Sequence, residues 1–248
     1  MEQPLRLVKF IAASGAASRR GAAELVRTGR VSVNGLPAAS PGMPISSGDE
    51  VRLDGKLLQI AERRRYIMLH KPRGYVCTNA DPHAGLKAID LIRLDPPVRL
   101  FSAGRLDKES EGLILFSDDG DFVAELTHPR YEILKTYHVE TARRLTEEEL
   151  ARIRNGIVDE GERLTVRSIR PLGGRKYEII LNEGKKREIR RLTAAMGAPT
   201  RRLRRLKIGS LELGELPVGR WRELSPEEVA LARTPEPRQL PPCPPPKS

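Results

Sequence analysis

The alternation of hydrophobic and polar positions in the N-terminal part of the chain predicts two short helices followed by short strands. Apolar residues from 5 to 12 fall at helical spacing, and Ser14-Gly15 ends that segment. Ser18 is placed to cap a second helix, which ends near Gly29. Short alternating segments with Asn-Gly and Asp-Gly turns follow. This pattern is typical of a small module with helices first and strands second.

Strands dominate the rest of the chain, with helices scattered among them. A compact apolar run or an alternating pattern predicts strands at 66–69, 112–116, 135–140 and 177–181. Helical spacing and capping residues predict helices at 122–126, 146–156 and 189–196, and a last one capped by Ser225. The mixed order favours an α+β fold over a strict strand–helix–strand succession.

A charged stretch separates the two patterns. Glu62-Arg63-Arg64-Arg65 has no apolar periodicity, so we place a linker there, with a small module at 1–61 and a larger domain at 62–233. The alternative is a solvated loop inside one domain. Residues 234–248 are rich in proline and poor in apolar residues, which predicts a disordered tail.

Composition narrows the classes of function. The 248 residues include 44 Lys and Arg against 33 Asp and Glu, a formal charge of +11, which indicates a polyanionic partner and nucleic acid first. Apolar runs are too short for a membrane span, and the start of the chain does not have the pattern of a signal peptide. The two cysteines, Cys77 and Cys243, lack metal-ligand spacing, so we expect no zinc finger or disulfide scaffold and a reducing, cytoplasmic location.

Two basic clusters are candidates for RNA contact. The first surrounds the predicted second helix, whose capped N-terminus also suits a phosphate; its members are Arg19, Arg20, Arg27 and Arg30. The second covers residues 185–207, with ten cations against the single acid Glu188, and includes Lys185, Lys186, Arg187 and Arg191. Helical spacing predicts that Arg187, Arg190 and Arg191 share one face of the helix. The alternative in both places is a solvated charged surface.

Spacing alone identifies no catalytic residue. The chain has no Ser/His/Asp order, no H-E-x-x-H and no glycine-rich phosphate loop, and its four histidines show no metal-ligand pairing. Asp107, in Gly104-Arg105-Leu106-Asp107, has the composition of an ordinary loop aspartate.

Four segments, in order, resemble the RsuA/RluB-type pseudouridine synthases. They are LHKPRGYVCTNADP at 69–82, GRLDKESEGLILFSDDGD from Gly104, HPRYEILKTY from His128, and NEGKKREIRRLTAAMG at 182–197. The first module resembles the RNA-binding module named after ribosomal small-subunit protein four, through LRLVKFIAASGAASRR, GRVSVNG and GDEVRLDGK. The resemblance implies a helix-rich RNA-binding module joined to a catalytic domain with a mixed, largely antiparallel sheet.

The resemblance also implies a set of site residues. Asp107 matches the essential aspartate, which breaks the N-glycosidic bond of a uridine so that the uracil rejoins the ribose through C5; whether it attacks the sugar or acts as a base stays open. Tyr137 matches the tyrosine that stacks on the target base. Arg190 matches the basic partner of the aspartate, with Arg187 as second choice and a phosphate contact as the alternative role.

Further positions follow from the same alignment. Ile189 or Leu192 would close the other side of the uracil, or belong to the core, and Arg105 would help to hold the phosphate of the flipped nucleotide. The family's reaction implies no metal and no cofactor. Arg187 stands where many relatives have His, which removes no catalytic requirement.

The implied substrate is ribosomal RNA, either free or in a ribosomal assembly intermediate. The segment HPRYEILKTY favours large-subunit (23S) rRNA. A small-subunit rRNA synthase and a catalytically inactive rRNA-binding assembly factor are the alternatives. We expect a monomer that does not associate with membranes.

Overall fold

The computed structural model describes residues 5–60, 63–78 and 85–235. The chain divides into two compact units, with the main boundary between Arg65 and Tyr66. The segments Leu94–Arg99 and Asp118–Gly120 belong to the first unit, and the rest of the chain to the second. The exact bounds of the two domains that the sequence predicts, 1–61 and 62–233, stay predictions. Apart from Thr234 and Pro235, the predicted disordered tail lies outside the described residues.

The first unit contains two helices followed mainly by short strands, as the sequence pattern predicts. Ser18 caps the second helix through a 3.0 Å hydrogen bond from the Gly21 amide to its hydroxyl. The elements are β1 (Leu5–Arg6), α1 (Leu7–Ala13), α2 (Arg19–Arg27), β2 (Val31–Val33), β3 (Leu36–Pro37), β4 (Pro44–Ile45), β5 (Val51–Leu53) and β6 (Lys56–Leu57). Strands β3-β2-β5-β6 form a four-stranded sheet, and β1 pairs with β4.

The two dipeptide turns of the first unit explain the order of its sheet. Asn34 and Gly35 both have positive φ, 52° and 81°, and Asp54 and Gly55 repeat this with 49° and 78°. Two successive positive φ values are the requirement of a tight hairpin whose twist matches that of its strands. Apolar residues of both helices and of the strands, Ile11, Val26 and Val51 among them, form one buried cluster.

The second unit is built around a nine-stranded sheet and also contains a two-stranded hairpin. The strands of this unit are β7 (Tyr66–Lys71), β8 (Phe101–Ala103), β9 (Glu111–Ser117), β10 (Lys135–Thr141), β11 (Ile157–Asp159), β12 (Glu162–Leu164), β13 (Ser168–Gly173), β14 (Lys176–Leu181), β15 (Thr200–Ile208), β16 (Leu211–Glu212) and β17 (Trp221–Glu223). Its helices are α3 (Gly120–Thr127), α4 (Glu147–Asn155), α5 (Glu188–Ala195) and α6 (Pro226–Arg233), with 3₁₀ turns at Ala88–Leu91 and Pro129–Tyr131.

The sheet is mixed and largely antiparallel, which confirms the α+β prediction. The strand order is β13-β14-β10-β15-β9-β7-β17, with β16 on β15 and β8 on β9; β11 and β12 form a separate hairpin. The pair β15–β9 is parallel, and the other pairs of this sheet are antiparallel. Apolar residues of β9, α3 and α6, such as Leu115, Phe122 and Val229, pack together in one core cluster.

Strand β15 is the central element that the sequence pattern misses. Its sequence, TRRLRRLKI, has the composition of a solvated basic segment, but it pairs with β10 on one side and with β9 on the other. The two backbones approach closely at Gly112, where a Cβ atom would lie 2.6 Å from the Arg205 amide nitrogen. Gly112 also has φ 111°, so a side chain there would be both strained and blocked.

The helix boundaries confirm the predicted caps, with one correction. Complete capping boxes join Thr146 to Glu149 and Ser225 to Glu228. Arg187, predicted on the helical face shared with Arg190 and Arg191, instead precedes α5 in a left-handed conformation, with φ 53°. Its side chain therefore does not continue the face formed by Arg190 and Arg191. Among the described residues, the helices are all too short or too polar to cross a membrane.

Candidate active site

Asp107 lies in the turn between β8 and β9, and three contacts define this turn. The Ser110 amide donates to the Asp107 carbonyl at 3.0 Å. The Leu106 amide donates to the Cys77 sulfur at 3.4 Å, and the Lys71 ammonium donates to the Ser110 carbonyl at 2.6 Å. Cys77 is buried, as expected of a small apolar residue, and it supports the backbone beside Asp107.

Lys71 is a fully buried cation beneath this turn. Its ammonium also donates to the Pro72 carbonyl at 2.9 Å, so backbone oxygens replace part of its hydration shell. Burial lowers the pKa of Lys71, and the carboxylates of Asp107 and Glu109 oppose that shift. Lys71 thus fixes the turn and adds positive charge near the Asp107 carboxylate.

Arg190 of α5 forms an ion pair with Asp107. Its Nε lies 3.6 Å from Asp107 Oδ2, and the side chains are 12% and 31% exposed, respectively. The Arg190 Nη2 donates to the Glu109 carbonyl at 3.1 Å and to the Ser110 hydroxyl at 3.3 Å, so the guanidinium binds the turn that carries Asp107. Its Nε is buried and, within the described part of the chain, makes no hydrogen bond.

The Arg190 guanidinium keeps its charge although it is largely buried. Burial lowers the pKa of Arg190, and the Asp107 carboxylate opposes this shift. An arginine starts from a pKa so high that it stays protonated at neutral pH. The ion pair therefore places a permanent positive charge beside Asp107.

An open cleft of about 410 Å³ extends from Asp107. Tyr137 and Ile189 line it, together with Arg105, Leu106, Ser110, Leu181, Gly184, Lys185, Arg187, Glu188 and Leu203. Tyr137 is 7% exposed and belongs to β10. Carboxylate, aromatic ring and apolar side chains thus line one space.

The structure brings most of the predicted pocket residues together. Arg105, Asp107, Tyr137 and Ile189 share the cleft, and Arg190 pairs with Asp107. Leu192 is fully buried and is not among the residues that line this cleft, so we place it in the core, the alternative that the sequence left open. The catalytic roles of all these residues stay predictions.

Most of the predicted RNA-binding residues have exposed side chains. Arg19, Arg20, Lys186 and Arg187 are exposed. Lys185 pairs with Glu183 at 2.7 Å; on the first unit, Arg27 pairs with Glu24 and Arg30 with Asp54, in exposed positions. Exposed pairs of this kind contribute little stability and can exchange their partner for a phosphate.

Arg191 is engaged elsewhere. Its guanidinium binds Asp159 and Glu162 of the β11–β12 hairpin and the Asp159 carbonyl, and the hydrogen bonds to Glu162 and Asp159 raise its pKa. The guanidinium N–H groups of Arg191 already donate to carboxylates, which conflicts with the predicted phosphate contact. We assign Arg191 to the attachment of this hairpin to α5.

Two residues beside Tyr137 were not predicted as site residues. Lys135 and Arg205 line a second cavity that adjoins the cleft and shares Tyr137, Arg105, Gly184 and Lys185 with it. The alternation of β10 gave a signal for Lys135, because it places Lys135 on the same face as Tyr137. Arg205 had no such signal, because β15 was not recognised as a strand.

Comparison with known proteins agrees with this geometry. Residues 65–195 match the family described as RNA pseudouridylate synthase, and residues 5–51 match the S4 domain. The chain belongs to the RNA pseudouridylate synthase family and carries an S4 domain at its N-terminus.

Particular relatives extend over nearly the whole chain. An uncharacterized RNA pseudouridine synthase of Aquifex aeolicus is 37% identical, covering 91% of this chain and 94% of the relative. The ribosomal large subunit pseudouridine synthase B of Bacillus subtilis is 35% identical, covering 92% and 95%. A solved pseudouridylate synthase structure superposes with a TM-score of 0.68 at 33% identity, covering 92% of this chain and 99% of that one.

Proposed function

We propose that this protein converts a specific uridine of large-subunit ribosomal RNA to pseudouridine, with Asp107 as the catalytic carboxylate. The observation that carries the proposal is the Asp107–Arg190 ion pair at a cleft lined by Tyr137. Relatives that align with 90% to 92% of this chain bear the name ribosomal large subunit pseudouridine synthase B, which supports the choice of the large subunit.

The reaction conserves every atom of the nucleotide. The bond from uracil N1 to the ribose C1′ breaks, a bond from C5 to C1′ forms, and the proton that leaves C5 is balanced by one gained at N1. Asp107 has two candidate roles, attack on the sugar or action as a base. Both use the carboxylate, beside which Arg190 holds a positive charge.

The residues of the cleft would stabilise a uracil that has left its base stack. A uridine must leave its stack to reach Asp107, at a cost of a few kcal/mol. Stacking on Tyr137 would offset about 1–3 kcal/mol of that cost. A ring face has no fixed donor pattern, so the uracil can turn against Tyr137 without leaving the site. Ile189 supplies an apolar wall for the same base.

The S4 domain would supply affinity rather than chemistry. Charge reversal at Arg27→Glu with Arg30→Glu should weaken rRNA binding, because these exposed side chains lie at the end of α2 and just beyond it. The pseudouridine yield at saturating RNA should stay the same. Filter binding at physiological salt, beside single-turnover assays, would measure both, and unchanged affinity would remove the anchoring role of this region.

The decisive experiment maps pseudouridine in rRNA from cells that lack this protein, before and after its return. We expect one site of the large-subunit rRNA to lose its modification and to regain it with the wild type. Loss at a small-subunit site instead would correct the substrate. If every site keeps its modification, the protein is better explained as a binding factor for ribosomal RNA or for an assembly intermediate.

A further inference from the structure

The second cavity, which Tyr137 also lines, is open to solvent, has a volume of about 860 Å³ and is strongly cationic. Four cations line it: Arg105, Lys135, Lys185 and Arg205. Among the described lining residues the only acid is Glu183, and it is already paired with Lys185 at 2.7 Å. Lys135 and Arg205 are therefore left facing this cavity without a carboxylate from its lining.

Arg205 is the more deeply buried of the two, with 3% of its surface exposed. Its Nε donates to the Leu113 carbonyl at 2.7 Å, which fixes the guanidinium in place. Its Nη2 is buried and, within the described residues, makes no hydrogen bond. Leaving a buried guanidinium nitrogen without an acceptor costs free energy. A ligand that brings a hydrogen-bond acceptor to this position would therefore be stabilised.

Lys135 adds a second cation to the wall of this cavity. Strand register places Tyr137 opposite Arg205, and Lys135 lies two residues earlier on the same face of β10. Its ammonium donates to the Ile133 carbonyl at 2.6 Å. Burial, with the repulsion of Arg205 second, lowers the pKa of Lys135 to about 8. Two cations are thus held near each other at the wall of one cavity.

We propose that Lys135 and Arg205 form a subsite for a phosphate of the substrate RNA strand, next to the target uridine. The inference rests on the proposed function for the identity of the strand. An anion fits better than the uracil itself, because uracil is neutral and would leave the repulsion between the two cations uncompensated. Tyr137 lines both spaces, so a base in the cleft and its own backbone in the cavity would lie on the two sides of one residue.

The test replaces single phosphates by neutral methylphosphonates on both sides of the target uridine in an RNA fragment. We expect one position to weaken binding and to raise KM by about ten- to a hundredfold for the wild type, the worth of one charge-assisted hydrogen bond. The same replacement should cost Lys135→Met clearly less, because one of the two cations that would hold the phosphate is already missing. The matched control, Lys176→Met, removes an exposed lysine of the same sheet and should keep the full wild-type penalty.

The inference is overturned if no flanking methylphosphonate affects the wild type, or if Lys135→Met retains the whole penalty. The first of these outcomes needs no variant, so poor folding cannot obscure it. Affinity is measured as well as turnover. Absence of pseudouridine from the wild-type reaction would contradict the proposed function. A normal reaction in which the methylphosphonate penalty does not depend on Lys135 would contradict only the phosphate subsite.

A second measurement separates a phosphate subsite from a merely structural lysine. Lys135→Met should raise Tm in phosphate-free buffer, because it removes a desolvated charge that Arg205 repels. Inorganic phosphate, titrated against chloride at constant ionic strength, should raise the Tm of the wild type and of Lys176→Met more than that of Lys135→Met. A lower Tm for Lys135→Met, with an unchanged response to phosphate, would mark the lysine as structural and contradict the inference.

Discussion

Asp107→Asn should abolish pseudouridine formation and leave rRNA binding nearly unchanged. Asparagine keeps the size and polarity of the side chain in the turn before β9, but it can neither ionise nor act as a nucleophile or base. We expect a loss of more than about 10³-fold in the rate of isomerisation, as for the removal of a principal catalytic group. The affinity for RNA should change by less than about twofold, because the basic residues that we predict to contact phosphates are untouched.

Each variant is expressed in cells that lack the protein, and pseudouridine is then mapped in their rRNA. RNA binding is measured separately on the purified protein. Asp90→Asn is the matched control, since Asp90 is an exposed carboxylate of the second unit, remote in sequence from the Asp107 turn. The control should restore the modification in full. Modification restored equally by Asp107→Asn would disprove the catalytic role of Asp107.

Arg190→Met should lower kcat by about 10²-fold with a small effect on KM, as for the removal of a preorganised charge at the reacting centre. The reason is the position of its guanidinium, which lies beside the Asp107 carboxylate and donates to the Glu109 carbonyl and the Ser110 hydroxyl. Without it, the carboxylate loses its partner and the turn that carries it loses two hydrogen bonds.

The alternative role for Arg190, a phosphate contact, predicts a different result. KM would rise, kcat would stay the same, and the slope of log affinity against log salt would fall by about 0.7–0.9. Arg187→Met is the internal comparison, because Arg187 lines the same cleft but is exposed and does not contact Asp107 through a salt bridge. Steady-state kinetics at several salt concentrations would separate the two roles. A change confined to KM in Arg190→Met would contradict the ion-pair role.

Local signals in the sequence predicted much of the fold. The turn at Asn34-Gly35, the Ser18 cap and both capping boxes depend on neighbours within a few residues, and the structure confirms them. Strand β15 could not be predicted in this way. Its basic side chains belong to a central strand because β10 and β9 pair with it on its two sides, and both partners are distant in sequence.

The candidate site likewise combines features that the sequence predicted with others that only the structure shows. Composition gave no reason to single out Asp107; resemblance to a family did, and the structure then placed Arg190 beside it. Helical spacing placed Arg191 on the same face as Arg190 and predicted that it contacts RNA. Their environments differ because Arg191 meets the carboxylates of a hairpin, whereas Arg190 meets the Asp107 turn. Which carboxylate lies near which arginine is a matter of tertiary packing, and periodicity carries no information about it.

The long sequence separation within the site sets an order of events during synthesis. The contact of Arg190 with the Glu109 carbonyl spans 81 residues, and that of Arg205 with the Leu113 carbonyl spans 92. The S4 domain is complete long before β15 leaves the ribosome, and domains generally fold as units as they emerge. A nascent chain therefore gains its RNA-binding module first and its catalytic centre almost last. An incomplete chain could hold RNA but could not modify it.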